Sequence, residues 1–562
     1  MRIIAGMTIA THPTAIQALV TSLVGSLDAE QAAAATLPDG PAQIIAPAGS
    51  GKTTTLIARL GVLLARGLAP AAILVVTFNR EAAAELSARI ASRLGPLVPD
   101  ATQIEVRTLH ALARQVLLDT GKPVNLVADR LPLLRAARRR CLAGRREDAP
   151  ALPDAAALDT VISAWKVEGR PPSDDATPVV DAYTALLAAR GALDFDDLVL
   201  RAVELLETDA PLRLRWQSRF SHVCVDEFQD VDAGQLRMVR LLAAPHDNLF
   251  VVGDDDQTIY AWRLADVRRI LDFSVDYPAA RRVQLATNYR CPPTVVTASR
   301  QLIDVNRERF AKRIEAAPGA VAVDGSLAAF ATTSLDWPER LVRLAVAETR
   351  AGRRACFLAR TRSELAPISL ALIRAGVPHA SSLSAPAEAE PVIALVDDLR
   401  RLAPTTAPFH ALLRLRAGRG WRRGDGDDAL GDDDHAALDA ALGWAVAFDR
   451  SDRFLAGYDA ARERLAALRD PNAPIELVTV HGAKGREWHL VVIVGFEDER
   501  FPNRRALVDA LNPERSLEEE RRLGYVALTR ATRRLVLAYD PSRPSRFMAE
   551  MGATARPQAR PR

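Results

Sequence analysis

The segment Ala46, Pro47, Ala48, Gly49, Ser50, Gly51, Lys52, Thr53 and Thr54 has the residue types and order of a phosphate-binding loop. Gly49 and Gly51 let the backbone curl until its N–H groups converge on an anion, and the helical pattern that follows adds its own unpaired N–H groups. Lys52 is placed to reach the outer phosphates of a nucleoside triphosphate, and Thr53 to hold Mg²⁺. Alone, the loop specifies use of ATP or GTP. A second constellation, HVCVDEFQD at His222 to Asp230, sets adjacent acids directly after an apolar run. Asp226 suits the Mg²⁺ shell, and Glu227 is placed to orient and deprotonate an attacking water, with Gln229 and Asp230 nearby. Paired acids in such a place also serve as helix N-caps. Their pairing with a phosphate loop favours hydrolysis.

Side chains of this kind are useful only at the carboxyl ends of parallel strands, where loops open on one edge of a sheet. Short apolar runs at 43–46, 73–78, 222–225, 249–252 and 283–286 alternate with helical patterns, and a second set lies at 356–359, 477–480, 490–494 and 535–538. The alternation predicts two α/β domains with parallel sheets. We expect the first domain over residues 1–111 and 193–286, interrupted by a helical insertion at 112–192. The second covers 287–401 and 471–550, interrupted at 402–470. The Gly/Asp-rich stretch GDGDDALGDDD inside the second insertion is expected to be flexible, and the Pro/Arg-rich tail at 551–562 disordered.

A chain of 562 residues is too long for one core. Its 49% apolar and 25% charged residues are those of an ordinary globular protein, and a net charge of +3 leaves any nucleic-acid groove to be found locally. The four cysteines, Cys141, Cys224, Cys291 and Cys356, have neither zinc spacing nor the look of a disulfide framework. Thr11, His12, Pro13 and Gln17 interrupt any signal-peptide core and no apolar run reaches membrane-spanning length, so the cytoplasm is the expected location, with no membrane partner. Of the 73 basic residues only five are lysines: Lys52, Lys122, Lys166, Lys312 and Lys484. A lysine in so arginine-rich a chain points to a place where a guanidinium does not serve.

The order of motifs is similar to that of the UvrD/Rep family of superfamily 1 DNA helicases. It is carried by APAGSGKT, DEFQD, GDDDQTIYAWR at Gly253 to Arg263, LATNYR at Leu285 to Arg290, VTVHGAKGREW at Val478 to Trp488 and EEERRLGYVALTRA at Glu518 to Ala531. LDAEQ, TFNREAAAEL, TLHAL and LDFDDL fit as well. The resemblance implies two RecA-like P-loop NTPase domains, ATP with Mg²⁺, and single-stranded and tailed duplex DNA as partners. It implies 3′-to-5′ movement in DNA repair, replication or recombination, by a monomer or weak oligomer that joins the nucleoid when bound to DNA. By the same resemblance Gln31 reads adenine, Tyr289 stacks on it, Glu487 meets the ribose, and Gln257 senses the γ-phosphate. Arg290 and Arg530 resemble the pair that meets the γ-phosphate across the cleft between the domains.

Phe78, Tyr260 and Trp262 resemble the family's base-stacking residues; such stacking tolerates any sequence. Thr108, His110, Arg263, Thr479 and His481 are candidate phosphate or sugar contacts. Two basic stretches, 135–146 and 414–423, are either phosphate contacts or solvated faces.

Two motif positions depart from the family: Leu264 stands where glycine usually follows the Trp-Arg pair, and Arg486 where leucine usually follows Lys-Gly. The second insertion is also much shorter than usual. Three functions therefore compete: a DNA-unwinding motor, a single-strand translocase or remodelling factor, and a small-molecule phosphotransferase. Arg290 and Arg530 argue against the third.

Overall fold

The central strands form because their residues are apolar on both faces. In unit 1, Ile45, Leu74, Val76, Val223, Val225 and Val251 point into one core, and Ile44, Val75, Cys224, Phe250 and Val252 into the other. This is the period of two expected of strands covered by helices on both sides. The computed structural model describes residues 21–96, 98–143, 152–261, 264–320, 325–381, 385–421, 430, 432–508 and 512–552. The expectations for the first twenty residues, for most of the Gly/Asp-rich stretch, for the tail beyond Gly552 and for Trp262 and Arg263 fall outside these residues. The chain divides into two compact units, Met1–Thr287 with Glu308–Arg313, and Asn288–Arg307 with Ile314–Arg562.

Unit 1 contains β1 (Ala42–Ile45), β2 (Ile73–Thr77), β3 (Glu105–Thr108), β4 (His222–Val225), β5 (Leu249–Gly253) and β6 (Arg281–Gln284). They make one parallel sheet in the order β3-β2-β4-β5-β1-β6. Helix α1 (Ala29–Ala35) leads into β1. Helices α2 (Lys52–Ala65) and α3 (Arg80–Arg93) cover one face of the sheet; α4 (Leu109–Leu118) lies on the other. A helical bundle follows, made of α5 (Leu131–Leu142), α6 (Ala155–Glu168) and α7 (Thr177–Ala189), with a core that includes Leu134, Ile162, Val180 and Tyr183.

Buried charges tie this bundle to α8 (Phe195–Thr208), which packs beside α4 on the sheet. Lys166 Nζ lies 2.8 Å from Asp194 and 2.8 Å from Asp197. The Tyr183 hydroxyl donates to Asp194 at 2.7 Å, while Asp194 also caps α8 by accepting from Asp197 N–H at 2.9 Å. Arg130 joins through Asp196 at 2.6 Å.

Unit 2 holds β7 (Leu327–Ala331), β8 (Ala355–Ala359), β9 (Ala380–Ser381), β10 (Ile475–Thr479), β11 (Trp488–Val494) and β12 (Ala531–Tyr539). They too form a parallel sheet, in the order β7-β12-β11-β8-β10-β9. Helix α9 (Pro293–Ile303) begins the unit. Between β9 and β10 stand four helices, α10 (Glu390–Arg400), α11 (Pro408–Gly418), α12 (Asp432–Ala445) and α13 (Ser451–Leu468), around Leu412, Trp444, Phe454 and Tyr458. Within the basic 414–423 stretch, Arg416 pairs with Asp439 at 2.5 Å and Arg419 with Asp398 at 2.7 Å, so these two cations are engaged inside the helical cluster. Helix α14 (Pro513–Leu528) leads into β12. Among the described residues no helix is long and apolar enough to cross a membrane.

The chain is thus mixed α/β, with the two parallel sheets expected of RecA-like units. The sequence reading does not anticipate β3, β7 or β9, and it starts β6 at Val283 rather than Arg281. All four are edge strands with one side unpaired in the sheet, and none carries an unbroken β-branched run.

Lys166 supplies the ammonium for two buried carboxylates. Lys166→Met should lower the stability of the chain to urea by about 3–5 kcal/mol, because it leaves buried charge unpaired. A loss below about 1 kcal/mol, the size expected of a surface pair, would contradict that account.

Candidate nucleotide and nucleic-acid sites

The phosphate loop leaves β1 with Ala46 N–H donating to the Gly253 carbonyl of β5 at 2.8 Å. Gly49 and Gly51 have φ of +72° and +80°, a left-handed conformation that glycine adopts without strain. At Gly51 there is no room for more, since a Cβ would stand 2.5 Å from Gln31 Nε2. Gln31 is held there by a capping box on α1. Its N–H donates to Asp28 at 2.7 Å and its Oε1 accepts from Asp28 N–H at 3.2 Å. Gln31 Nε2 then donates to the Ser50 carbonyl at 2.9 Å. The residue expected at adenine therefore also braces the loop. Lys52 donates to the Ala46 carbonyl at 3.1 Å, folded across its own loop, and opens α2 together with Thr53 and the exposed Thr54.

Asp226 follows β4 and is tied to β2 through its N–H, which donates to the Val76 carbonyl at 2.9 Å. Burial, reinforced by Glu227 and opposed by Lys52, pushes its carboxyl up to about 7. A carboxylate left half protonated at neutral pH fits a cation that arrives with the ligand. Asp226 and Thr53 would hold Mg²⁺, which when bound supplies positive charge to the phosphate oxygens.

Glu227 sits at φ +51°, a conformation costing a non-glycine residue about 1–2 kcal/mol, and so leaves the strand direction sharply. Its Oε2 accepts from Gln229 Nε2 at 2.6 Å. Gln229 Oε1 in turn accepts from Asp254 N–H at 3.0 Å, and Asp254 Oδ2 accepts from Gln257 Nε2 at 2.7 Å. Gly253 is required for this crossing, because a Cβ there would meet Gln229 Oε1 at 2.7 Å. One hydrogen-bonded chain thus links Glu227 after β4 with Gln257 after β5. The sequence reading names Gln229 only as a neighbour and omits Asp254, whose part depends on the two strands being adjacent.

In unit 2, Asn288 Oδ1 accepts from the N–H groups of Arg290 and Cys291 at 2.9 Å each, fixing the turn before α9. The turn presents Tyr289, 50% exposed. Arg290 Nε donates to Glu487 at 2.6 Å, so the expected phosphate and ribose contacts of this unit hold each other. Arg530, at the end of α14, is buried; its Nε donates to the Val526 carbonyl at 2.9 Å and its Nη1 to the Arg486 carbonyl at 3.3 Å. Arg486 itself pairs with buried Glu476, and its guanidinium stands 4.8 Å over Trp488. Arginine at this unusual position therefore anchors the loop that carries Glu487. His481 lies in the short turn after β10, and Thr479 is the last residue of that strand.

The nucleic-acid candidates of unit 1 leave the same carboxyl edge on the other side of β4. Phe78, after β2, stacks on Tyr260 with ring centroids 4.7 Å apart and planes within 17°. Thr108 has a structural duty, capping α4 by accepting from Ala111 N–H at 3.2 Å. His110 meets the edge of Phe195 at 5.9 Å. Phe195 is 39% exposed and was not singled out by sequence reasoning; an aromatic as the first residue of a capped helix is the signal that could have found it. Leu264, where the family has glycine, adopts φ +64°. The glycine-type turn is kept and leucine carries its strain.

The family described as UvrD/REP helicase N-terminal domain matches residues 27–278, and the UvrD-like helicase C-terminal domain matches residues 460–542. Over 94% of its length the chain is 31% identical to the ATP-dependent DNA helicase UvrD2 of Mycobacterium tuberculosis, covering 81% of that protein. It is 27% identical to the ATP-dependent DNA helicase PcrA of Leuconostoc citreum over 95% of this chain and 85% of the relative. With PcrA of Staphylococcus aureus the identity is 26%, over 95% and 87%.

The raised Asp226 carboxyl has a thermodynamic signature. A group whose folded value lies above its unfolded one favours the metal-free fold at low pH, and that contribution is lost as the pH rises through about 7. Metal binding needs the carboxylate, so Mg²⁺-ADP binding at pH 6.5 should release a proton. Calorimetric enthalpies in buffers of different ionisation heat should then differ, and the apparent affinity should rise with pH. Buffer-independent enthalpies at pH 6.5 would contradict the assignment.

Proposed function

The chain belongs to the UvrD/Rep helicase family, and on that premise we propose that it is an ATP-dependent DNA helicase whose motor moves 3′-to-5′ on single strands. The observation that carries the coupling is the chain Glu227–Gln229–Asp254–Gln257. It joins the residue placed to activate water to the stretch that continues into Tyr260, stacked on Phe78. A change at the γ-phosphate that moves Gln257 is then three residues from an aromatic face on which a base can stack. Stacking is worth about 1–3 kcal/mol per base, enough to grip and too little to trap.

In this reading the loop 46–54 binds the phosphates of ATP and Lys52 swings from the Ala46 carbonyl to the outer phosphates. Asp226 and Thr53 hold Mg²⁺, Gln31 and Tyr289 take the adenine, and Glu487 takes the ribose. Glu227 orients the attacking water and accepts its proton. Arg290 leaves Glu487 for the γ-phosphate and Arg530 joins it, a contribution of about 10³–10⁵ in rate for such arginines, or about 4–7 kcal/mol of barrier. Phe78, Tyr260 and Trp262 carry bases; Thr108, His110, Arg263, Thr479 and His481 carry the sugar-phosphate backbone. Direction is supported by the family likeness alone. A second reading, a single-strand translocase with little unwinding, is favoured by the small four-helix insertion α10–α13.

Tailed duplexes separate the two readings. The helicase reading predicts ATP-dependent opening of 3′-tailed DNA and no opening of 5′-tailed DNA. Single-strand-stimulated ATP turnover without opening leaves the translocase. Lys52→Ala should abolish turnover while keeping DNA affinity within about threefold, since its side chain serves the nucleotide. Unimpaired turnover would refute the site itself.

A further inference from the structure

Lys312 lies outside the motifs and 58 residues after Asp254, yet its ammonium is completely buried against three consecutive aspartates of unit 1. It stands 2.7 Å from Asp254, 2.5 Å from Asp255 and 2.9 Å from Asp256. Its neighbours dock in the same place: Arg309 grips Asp256 with two hydrogen bonds, of 2.9 and 2.8 Å, and Phe310 N–H donates to Asp255 at 2.9 Å. Arg313 reaches Glu30 at 3.0 Å. The residues Glu308–Arg313 group with unit 1, whereas the chain on both sides of them, Asn288–Arg307 and Ile314 onward, groups with unit 2. The segment is therefore a strap, fixed to the sheet edge of one unit and continuous at both ends with the other.

Of these strap contacts, the one made by Lys312 reaches Asp254, whose Oδ1 also accepts from Asp256 N–H at 3.2 Å. Asp254 uses Oδ1 for Lys312 and Oδ2 for Gln257, and its N–H is given to Gln229, the partner of Glu227. We propose that Lys312 is a positioning residue for ATP hydrolysis: through Asp254 it sets both Gln257 and the Gln229–Glu227 pair, and the strap makes their position responsive to unit 2. This rests on the site assigned above. A compact ammonium can face three carboxylates of one turn at once, whereas a planar guanidinium presents its donors in a fixed fork. That is the physical reason for lysine here in a chain that otherwise uses arginine.

The test compares single-strand-stimulated ATP turnover of four full-length variants. Lys312→Met should lower kcat by about tenfold or more with KM for ATP within about threefold, as misplacement of catalytic groups does. Because that change leaves carboxylates unbalanced, the charge-matched Lys312→Met/Asp255→Asn variant is the decisive one. It should regain thermal stability without regaining kcat. Gln229→Met, which cuts the link from Asp254 to Glu227 without touching a charge, should show the same kcat loss. Arg309→Met, which removes the two hydrogen bonds to Asp256 and leaves the Lys312–Asp254 contact in place, should stay within about threefold of the unmodified chain. Recovery of kcat together with stability in the charge-matched variant overturns the proposal and leaves Lys312 a structural ion pair. Lys52→Ala, measured alongside, keeps the two readings apart: if it is inactive while both Lys312 variants are normal, the strap fails and the site stands.

Discussion

Burying a carboxylate requires a cation close by, and unit 1 is organised around that requirement. Asp194 and Asp197 are matched by Lys166, and Asp254, Asp255 and Asp256 by Lys312. Asp226 is not balanced in this way: Lys52 opposes the shift, but burial and Glu227 still raise its carboxyl to about 7. The difference divides the acids by task. Where the chain brings its own ammonium, the carboxylates fix positions; where it does not, the cation is expected to come with the nucleotide. Both lysine sites are enclosed, and both face more than one acid, which suits a compact ammonium better than a guanidinium.

The sheet order then separates two kinds of work on one edge. β1, β4 and β5 are neighbours and carry the phosphate loop, Asp226 with Glu227, and Gln257. β2 and β3, on the other side of β4, end at Phe78 and Thr108. Tyr260 bridges the two regions, because it follows Gln257 in sequence and stacks on Phe78. Close crossings are allowed where Gly51 and Gly253 leave space for Gln31 and Gln229, so glutamine amides, rather than charges, connect the loops.

The central strands and the phosphate loop were legible in the sequence because each imposes a narrow chemistry: apolar on both faces for the first, glycines before Lys-Thr for the second. The edge strands were not. β3 carries Glu105 and Arg107, β6 begins with Arg281 and Arg282, and β7 is rich in alanine, so none shows an unbroken β-branched run. The network around Asp254 was equally hidden, since Lys312 is remote in sequence and the scarcity of lysine was its only trace. Leu264 was visible as a departure, but a turn that stays left-handed with leucine in it follows only from the backbone. Arg486 likewise gains meaning only beside Glu476.

The central claim is that ATP turnover at the Lys52 loop drives directed movement along single-stranded DNA. Stopped-flow fluorescence on oligothymidylates of increasing length, labelled at one end, reads that movement directly. The account predicts an ATP-dependent delay before arrival at a 5′-end label that grows linearly with length, and no such delay at a 3′-end label. A signal independent of length at both ends, in the presence of ATP turnover, would contradict it.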